Sequence, residues 1–146
     1  MEESLIELEK IIPQNLIPMN ESQLRTYSPL AFAYIGDSIY DLIIRTMIVS
    51  RGNNRADRYH HEAIKYVNAN AQMKMYQTIK DILTEEEQTI FRRGKNSKPA
   101  STAKNQSLHD YKIATGFEAL YGYLFLAGKM DRILELTEYG LKNIDL

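Results

Sequence analysis

Residues 30–42 read Leu-Ala-Phe-Ala-Tyr-Ile-Gly-Asp-Ser-Ile-Tyr-Asp-Leu, an apolar helix with a glycine and an aspartate at its centre. Ser28-Pro29 ahead of it is a strong helix start: a hydroxyl to cap free N–H groups, then a proline where its missing N–H costs nothing. The apolar run predicts a helix to about Ser50, where Arg51-Gly52-Asn53-Asn54 stops it. A glycine inside a helix costs about 1 kcal/mol relative to alanine. A carboxylate drawn out of water costs several kcal/mol unless it is paired or bound to metal. Gly36 and Asp37 incur both penalties side by side, which marks a site. A helix this apolar must be covered by other elements, and the remainder of the chain has to supply them.

It supplies helices. No run of strand alternation is present, and the fold class expected is all-α, a helical bundle. Leu5, Ile6, Leu8, Ile11 and Ile12 form a short amphipathic opening that Pro13 ends, and residues 15–26 read as a loop. After the Gly-Asp helix, a second covers about Arg55 to Tyr66 and a third about Ala69 to Leu83. Thr84 with Glu87 fits a capping box opening a short helix to Arg93, with Gly94 as its breaker. Residues 95–106 are polar and basic and read as a loop. Asn105 or Ser107 caps a long helix ending at Gly128, and a final amphipathic helix uses Ile133, Leu134, Leu136, Leu141 and Ile144. With 146 residues and no repeat or linker, a single domain spanning 1–146 is expected, its core about 29–127.

The totals narrow the class. The chain has no cysteine, which excludes disulfides and thiolate metal sites and suits a reducing cytosol. The start, Met1-Glu2-Glu3-Ser4, lacks the basic and apolar regions of a signal peptide. No apolar run approaches the roughly 20 residues that span a bilayer, so a cytoplasmic protein without a membrane partner is expected. The net charge of −1 hides an asymmetry. Acids dominate the first part, while Arg92, Arg93, Lys95, Lys98, Lys104 and Lys112 cluster later with only Asp110 opposing them. Such a stretch is either a solvated loop or a face that meets a polyanion.

A second acid sits in similar surroundings. Ile113-Ala114-Thr115-Gly116-Phe117-Glu118-Ala119-Leu120-Tyr121-Gly122-Tyr123 is apolar, with two glycines and one carboxylate. Glycines on both helices would let the backbones approach and bring Asp37 near Glu118. Two facing carboxylates with water at the other positions suit Mg²⁺. From spacing alone, each acid could equally lie on a solvated stripe or pair with Arg45 or Lys112.

Tyr34-Ile35-Gly36-Asp37-Ser38-Ile39-Tyr40-Asp41-Leu42 resembles the signature helix of ribonuclease III catalytic domains. Thr115-Gly116-Phe117-Glu118-Ala119-Leu120-Tyr121-Gly122 resembles that family's second acidic motif. Leu-Ala-Phe-Ala-Tyr before the Gly-Asp pair, Arg93-Gly94-Lys95-Asn96, Ala114-Thr115-Gly116-Phe117-Glu118 and Tyr66-Val67-Asn68-Ala69-Asn70-Ala71-Gln72 are similar to the Mini-ribonuclease III subfamily. That subfamily has the catalytic domain without a double-stranded-RNA-binding domain, and none is expected here. The resemblance implies a Mg²⁺-dependent endoribonuclease acting on double-stranded RNA and leaving 5′-phosphate and 3′-hydroxyl ends. It also implies large-subunit (23S) ribosomal RNA precursor as substrate.

Asp37 and Glu118 would be the catalytic and metal-holding acids, with Asp41 either in the metal's outer shell or a plain exposed acid. Typical members carry two further acids, where this chain has Ala33 and Thr115; metal should therefore bind more weakly here, and the number of ions is open. RNA would be met by Arg92, Arg93, Lys95, Lys98 and Lys104 at phosphates and by Asn96, Ser97, Ser101 and Thr102 at ribose hydroxyls, with Gln72 at the groove. The family acts as a two-fold homodimer, and Tyr34 would enter a pocket on its partner.

Two other readings compete. His109-Asp110 with His60 or His61 and Asp131 could be forced into the order of HD-type phosphohydrolases. A non-catalytic RNA-binding protein of the same fold is the other, since two of the usual acids are missing.

Overall fold

The structure, a computed structural model, describes residues 16–97 and 106–146. The expected opening helix and the loop residues Lys98, Ser101, Thr102 and Lys104 lie outside the described residues. Among the described residues every regular element is helical, as the pattern predicts. They are α1 (Glu21–Leu24), α2 (Pro29–Ser50), α3 (Ala56–Ala63), α4 (Ala69–Ile79), α5 (Glu85–Lys95), α6 (Gln106–Leu126) and α7 (Met130–Asn143), with a 3₁₀ turn at Lys80–Ile82.

The ends follow local chemistry. Ser28 Oγ accepts the Ala31 N–H at 3.2 Å and so caps α2. Thr84 Oγ1 accepts the Glu87 N–H while Glu87 Oε1 accepts the Thr84 N–H, completing the expected capping box of α5. Gly128 ends the α6 segment with φ +75°, its N–H bonding Phe125 O and that of Lys129 bonding Leu124 O. This is the Schellman arrangement, which favours glycine because a side chain is strained at positive φ.

Three expectations need correction. The stretch 15–26 is not all loop: Asn20 and Gln23 form a capping box of their own and nucleate α1. Gly94 does not break α5; it is buried within the helix. Leu134 is 48% exposed and stands outside the apolar face of α7.

α6 is the central element. α2, α4 and α5 all pack on it, and α7 packs on α4 and folds back against α6. The core is aromatic where α2 meets α6. Tyr40 stands edge-on to Phe117 and Tyr121, with ring centroids 5.1 and 5.8 Å apart. Its hydroxyl donates to Tyr66 O at 3.1 Å, tying the segment after α3 to the core. α7 is pinned by Arg132, whose guanidinium donates to both Glu87 oxygens at 2.9 Å and to Ile82 O at 2.7 Å.

Candidate active site

The position of the two acids is decided by backbone. A Cβ added to Gly36 would lie 1.7 Å from Glu118 O, and one added to Gly122 would lie 1.8 Å from Phe32 O. Each glycine therefore sits directly on a carbonyl of the other helix. Residue 36 lies against 118 and residue 32 against 122, so α2 and α6 cross in opposite senses with nothing between their main chains. Glycine is required twice because no side chain fits. The consequence is local: Asp37 follows the glycine that touches Glu118's own carbonyl.

The two carboxylates differ in surroundings. Asp37 is exposed, so the burial cost expected of it is not incurred and only the glycine of the pair carries its penalty, while Glu118 is half-buried. Gln72, only 5% exposed, directs Nε2 to Glu118 Oε2 at 3.5 Å. Its amide thus lies inside the α4–α6 contact. Asp41 is engaged by Arg45 Nε at 3.0 Å in an i,i+4 pair on α2. Ala33 and Thr115 are buried, and the Thr115 hydroxyl donates to Tyr111 O at 2.9 Å within its own helix.

The basic end of α5 is held beside α6 by Gly94. A Cβ there would fall 2.6 Å from Ala119 Cβ and 3.0 Å from Gly116 Cα. Arg93 and Lys95 flank that contact, so they are anchored at the turn of α6 that carries Glu118. Arg92, Arg93 and Asn96 are exposed and Lys95 is half-buried. Arg93 also lines a cleft shared with Arg25, Phe32 and Tyr123. Tyr34 is 84% exposed and lacks burial within its own chain.

The HD arrangement does not assemble. His60, His61, His109 and Asp131 are exposed, and Asp110 is buried against Asn70, whose Nδ2 donates to Asp110 Oδ2 at 3.1 Å. Among the described residues no three His, Asp or Glu side chains gather to hold a metal. The Asn70–Asp110 pair escaped sequence reading because Asp110 stood out there only beside His109 and as the acid opposing the basic stretch, and nothing local links it to Asn70. Among the described residues no helix is long and apolar enough to cross a membrane.

The two central helices of the bundle cross glycine on carbonyl, and this is where the two motifs that resemble ribonuclease III meet. The model of that family, the Ribonuclease III domain, matches residues 30–129. The Mini-ribonuclease 3 of Thermoanaerobacter sp. (strain X514) is 42% identical over 132 residues, covering 90% of this chain and 93% of that protein. The Mini-ribonuclease 3 of Enterococcus faecalis is 41% identical over 117 residues, or 79% and 89% of the two chains. A crystal structure of a Fusobacterium nucleatum protein superposes with a TM-score of 0.72 at 32% identity, covering 82% of this chain and 95% of that one. The chain belongs to the Mini-ribonuclease III branch of the ribonuclease III family and is an endoribonuclease.

Proposed function

We propose that the chain hydrolyses phosphodiesters of double-stranded RNA in a Mg²⁺-dependent reaction, with Asp37 and Glu118 as the two acids that hold the metal. The observation that supports this reading is the contact of Gly36, the residue before Asp37, with the main-chain carbonyl of Glu118. The donor set fits the ion: two carboxylates with space for water are what a hard, strongly hydrated cation takes. When bound, Mg²⁺ supplies a Lewis acid for a phosphoryl oxygen and a water of lowered pKa for attack.

The residues of the chain do the rest. Glu118, half-buried, is oriented by the Gln72 amide, while exposed Asp37 keeps its oxygens open to water and substrate. Asp41, paired with Arg45, shapes the outer surroundings of Asp37. Arg92, Arg93, Lys95 and Asn96 contact phosphates and ribose hydroxyls of an A-form duplex, together with Lys98 and Lys104. Two copies assemble through the α2 face bearing Tyr34, supported by the exposure of Tyr34 together with that of Leu30 and Leu42 on the same helix. On resemblance to the subfamily, the cellular substrate is a paired region of large-subunit (23S) ribosomal RNA precursor, met in the cytoplasm.

The test is cleavage of end-labelled duplex and single-stranded RNA, with and without Mg²⁺, by the wild type, Asp37→Asn and Glu118→Gln. Cleavage is expected only of duplex, only with Mg²⁺ and only by the wild type. Strand cleavage by a folded Asp37→Asn protein would overturn the assignment.

A further inference from the structure

α4 is bonded to α6 by two amide–carboxylate contacts: Gln72 to Glu118 at 3.5 Å and Asn70 to Asp110 at 3.1 Å. Along α6 the two acids are eight residues, or about 12 Å, apart, whereas the two amides are only about 3 Å apart along α4. Residues two apart on a helix point about 200° apart, so Asn70 and Gln72 leave α4 on different sides and together hold its rotation. Ala71, Ala114 and Thr115 are buried and short, and Met73 packs with Ile113 and Phe91; such apolar contacts are non-directional, so the two amide–carboxylate contacts are the directional ones that set the rotation of α4. The Gln72–Glu118 bond is already at the long limit of a hydrogen bond and is sensitive to such a rotation.

Asp110 is costly to keep. It is 7% exposed, and among the described residues its Oδ1 has no hydrogen-bond partner. A buried carboxylate with an unmet oxygen lowers stability. A purely structural position would be better served by an amide or an apolar group.

We propose that Asp110 is a positioning residue: through Asn70 it fixes the rotation of α4 that brings the Gln72 amide to Glu118. The proposal rests on the metal-holding role of Glu118 given above. Loss of a group that orients a metal ligand from behind costs about 10–100-fold in metal affinity or activity. Asp110→Ala is thus expected to raise the Mg²⁺ concentration for half-maximal cleavage about tenfold, with KM for duplex RNA and melting temperature not reduced.

A second readout needs neither metal nor RNA. In ¹⁵N-labelled protein, the side-chain amide signal of Gln72 shifts in Asp110→Ala. The exchange Asn70→Asp with Asp110→Asn rebuilds the pair and returns both the signal and the Mg²⁺ requirement toward wild type. In a Gln72→Ala background Asp110→Ala adds nothing. Should Asp110→Ala fail to fold, Asp110→Asn, which keeps volume and an acceptor, gives the same changes at smaller size. An unmoved Gln72 signal, an unchanged Mg²⁺ requirement, or effects of Asp110 and Gln72 that simply multiply would overturn the proposal. If the wild type itself cleaves without Mg²⁺, the metal reading fails, while the Gln72 signal still decides whether Asp110 positions that amide.

Discussion

Gly36→Ala tests the contact on which the site depends. An ideal Cβ at residue 36 falls 1.7 Å from Glu118 O, 2.7 Å from Glu118 C and 2.8 Å from Gly122 N. Carbon–oxygen contacts relax at about 3.3 Å, so the helices must part by about 1.5 Å. Every atom met is main chain, and no rotamer change can relieve the clash. Overpacking costs about 1–3 kcal/mol and occasionally more, and this case belongs at the upper end. Alanine's better helix propensity offsets about 1 kcal/mol. The net loss is about 2 kcal/mol, which for a chain of this length lowers the melting temperature by about 4–8 °C. The effect on rate is larger, because a 1 Å misplacement of reacting groups can cost about 10²-fold. Circular dichroism melts and single-turnover cleavage of a duplex measure the two losses. Gly52→Ala is the comparison: its φ of 137° strains an added side chain, but nothing lies within 4 Å. It should lose stability and keep its single-turnover rate. A Gly36→Ala protein with wild-type melting and rate would refute the argument that backbone contact sets the two acids.

The double variant Arg93→Ala with Lys95→Ala should weaken duplex binding and lower the slope of log affinity against log salt by about 2, one unit per lost phosphate contact; an unchanged slope counts against the α5 terminus as an RNA contact. Tyr34→Asp should halve the mass in solution by light scattering, and an unshifted dimer would reject the α2 face. Glu87 gives a pH dependence. Burial pushes its carboxyl up, but hydrogen bonds from Arg132 and the Thr84 N–H outweigh this and hold it below the ordinary value of 4.5. Its ionised form therefore contributes stability that is complete above the unfolded value and lost as pH falls through the lower folded one. The stability gap between wild type and Glu87→Gln should be full near neutrality and close in acid, as followed by urea unfolding at a series of pH values.

Much of this arrangement is written in short-range signals. Ser28-Pro29 and the Gly52 region delimit α2 because caps and stops act within a turn. The helix-breaking cost at Gly36 was legible as a site for the same reason, and the expectation that glycines bring α2 and α6 together matches the contacts at Gly36 and Gly122. Gly94 was misread because a terminating glycine and a packing glycine are the same residue; only Gly116 and Ala119, more than 20 positions away, distinguish them. α1 escaped because four residues carry no periodicity, although Asn20 and Gln23 hold the capping signal. Gln72 and Asp110 were invisible in their structural roles for a related reason. A polar residue on an otherwise apolar helix reads as surface until the carboxylate or amide across the interface is known.

The missing acids at 33 and 115 bear on how the proposed site holds charge. Ala33 is 8% exposed beside the Phe32 carbonyl that Gly122 covers, and Thr115 is 3% exposed with its hydroxyl engaged by Tyr111 O. Both side chains are buried in the helix packing. The proposed site therefore brings two negative charges rather than four. Two carboxylates balance one divalent cation and add less repulsion toward an incoming phosphodiester than four would. They also leave coordination positions that a phosphate oxygen and water can take. On the proposed reading, RNA phosphates would supply the anionic ligands absent from positions 33 and 115. Metal and substrate stabilise each other in such a site, and Gln72 matters more because half of the protein's own contribution depends on the orientation of Glu118.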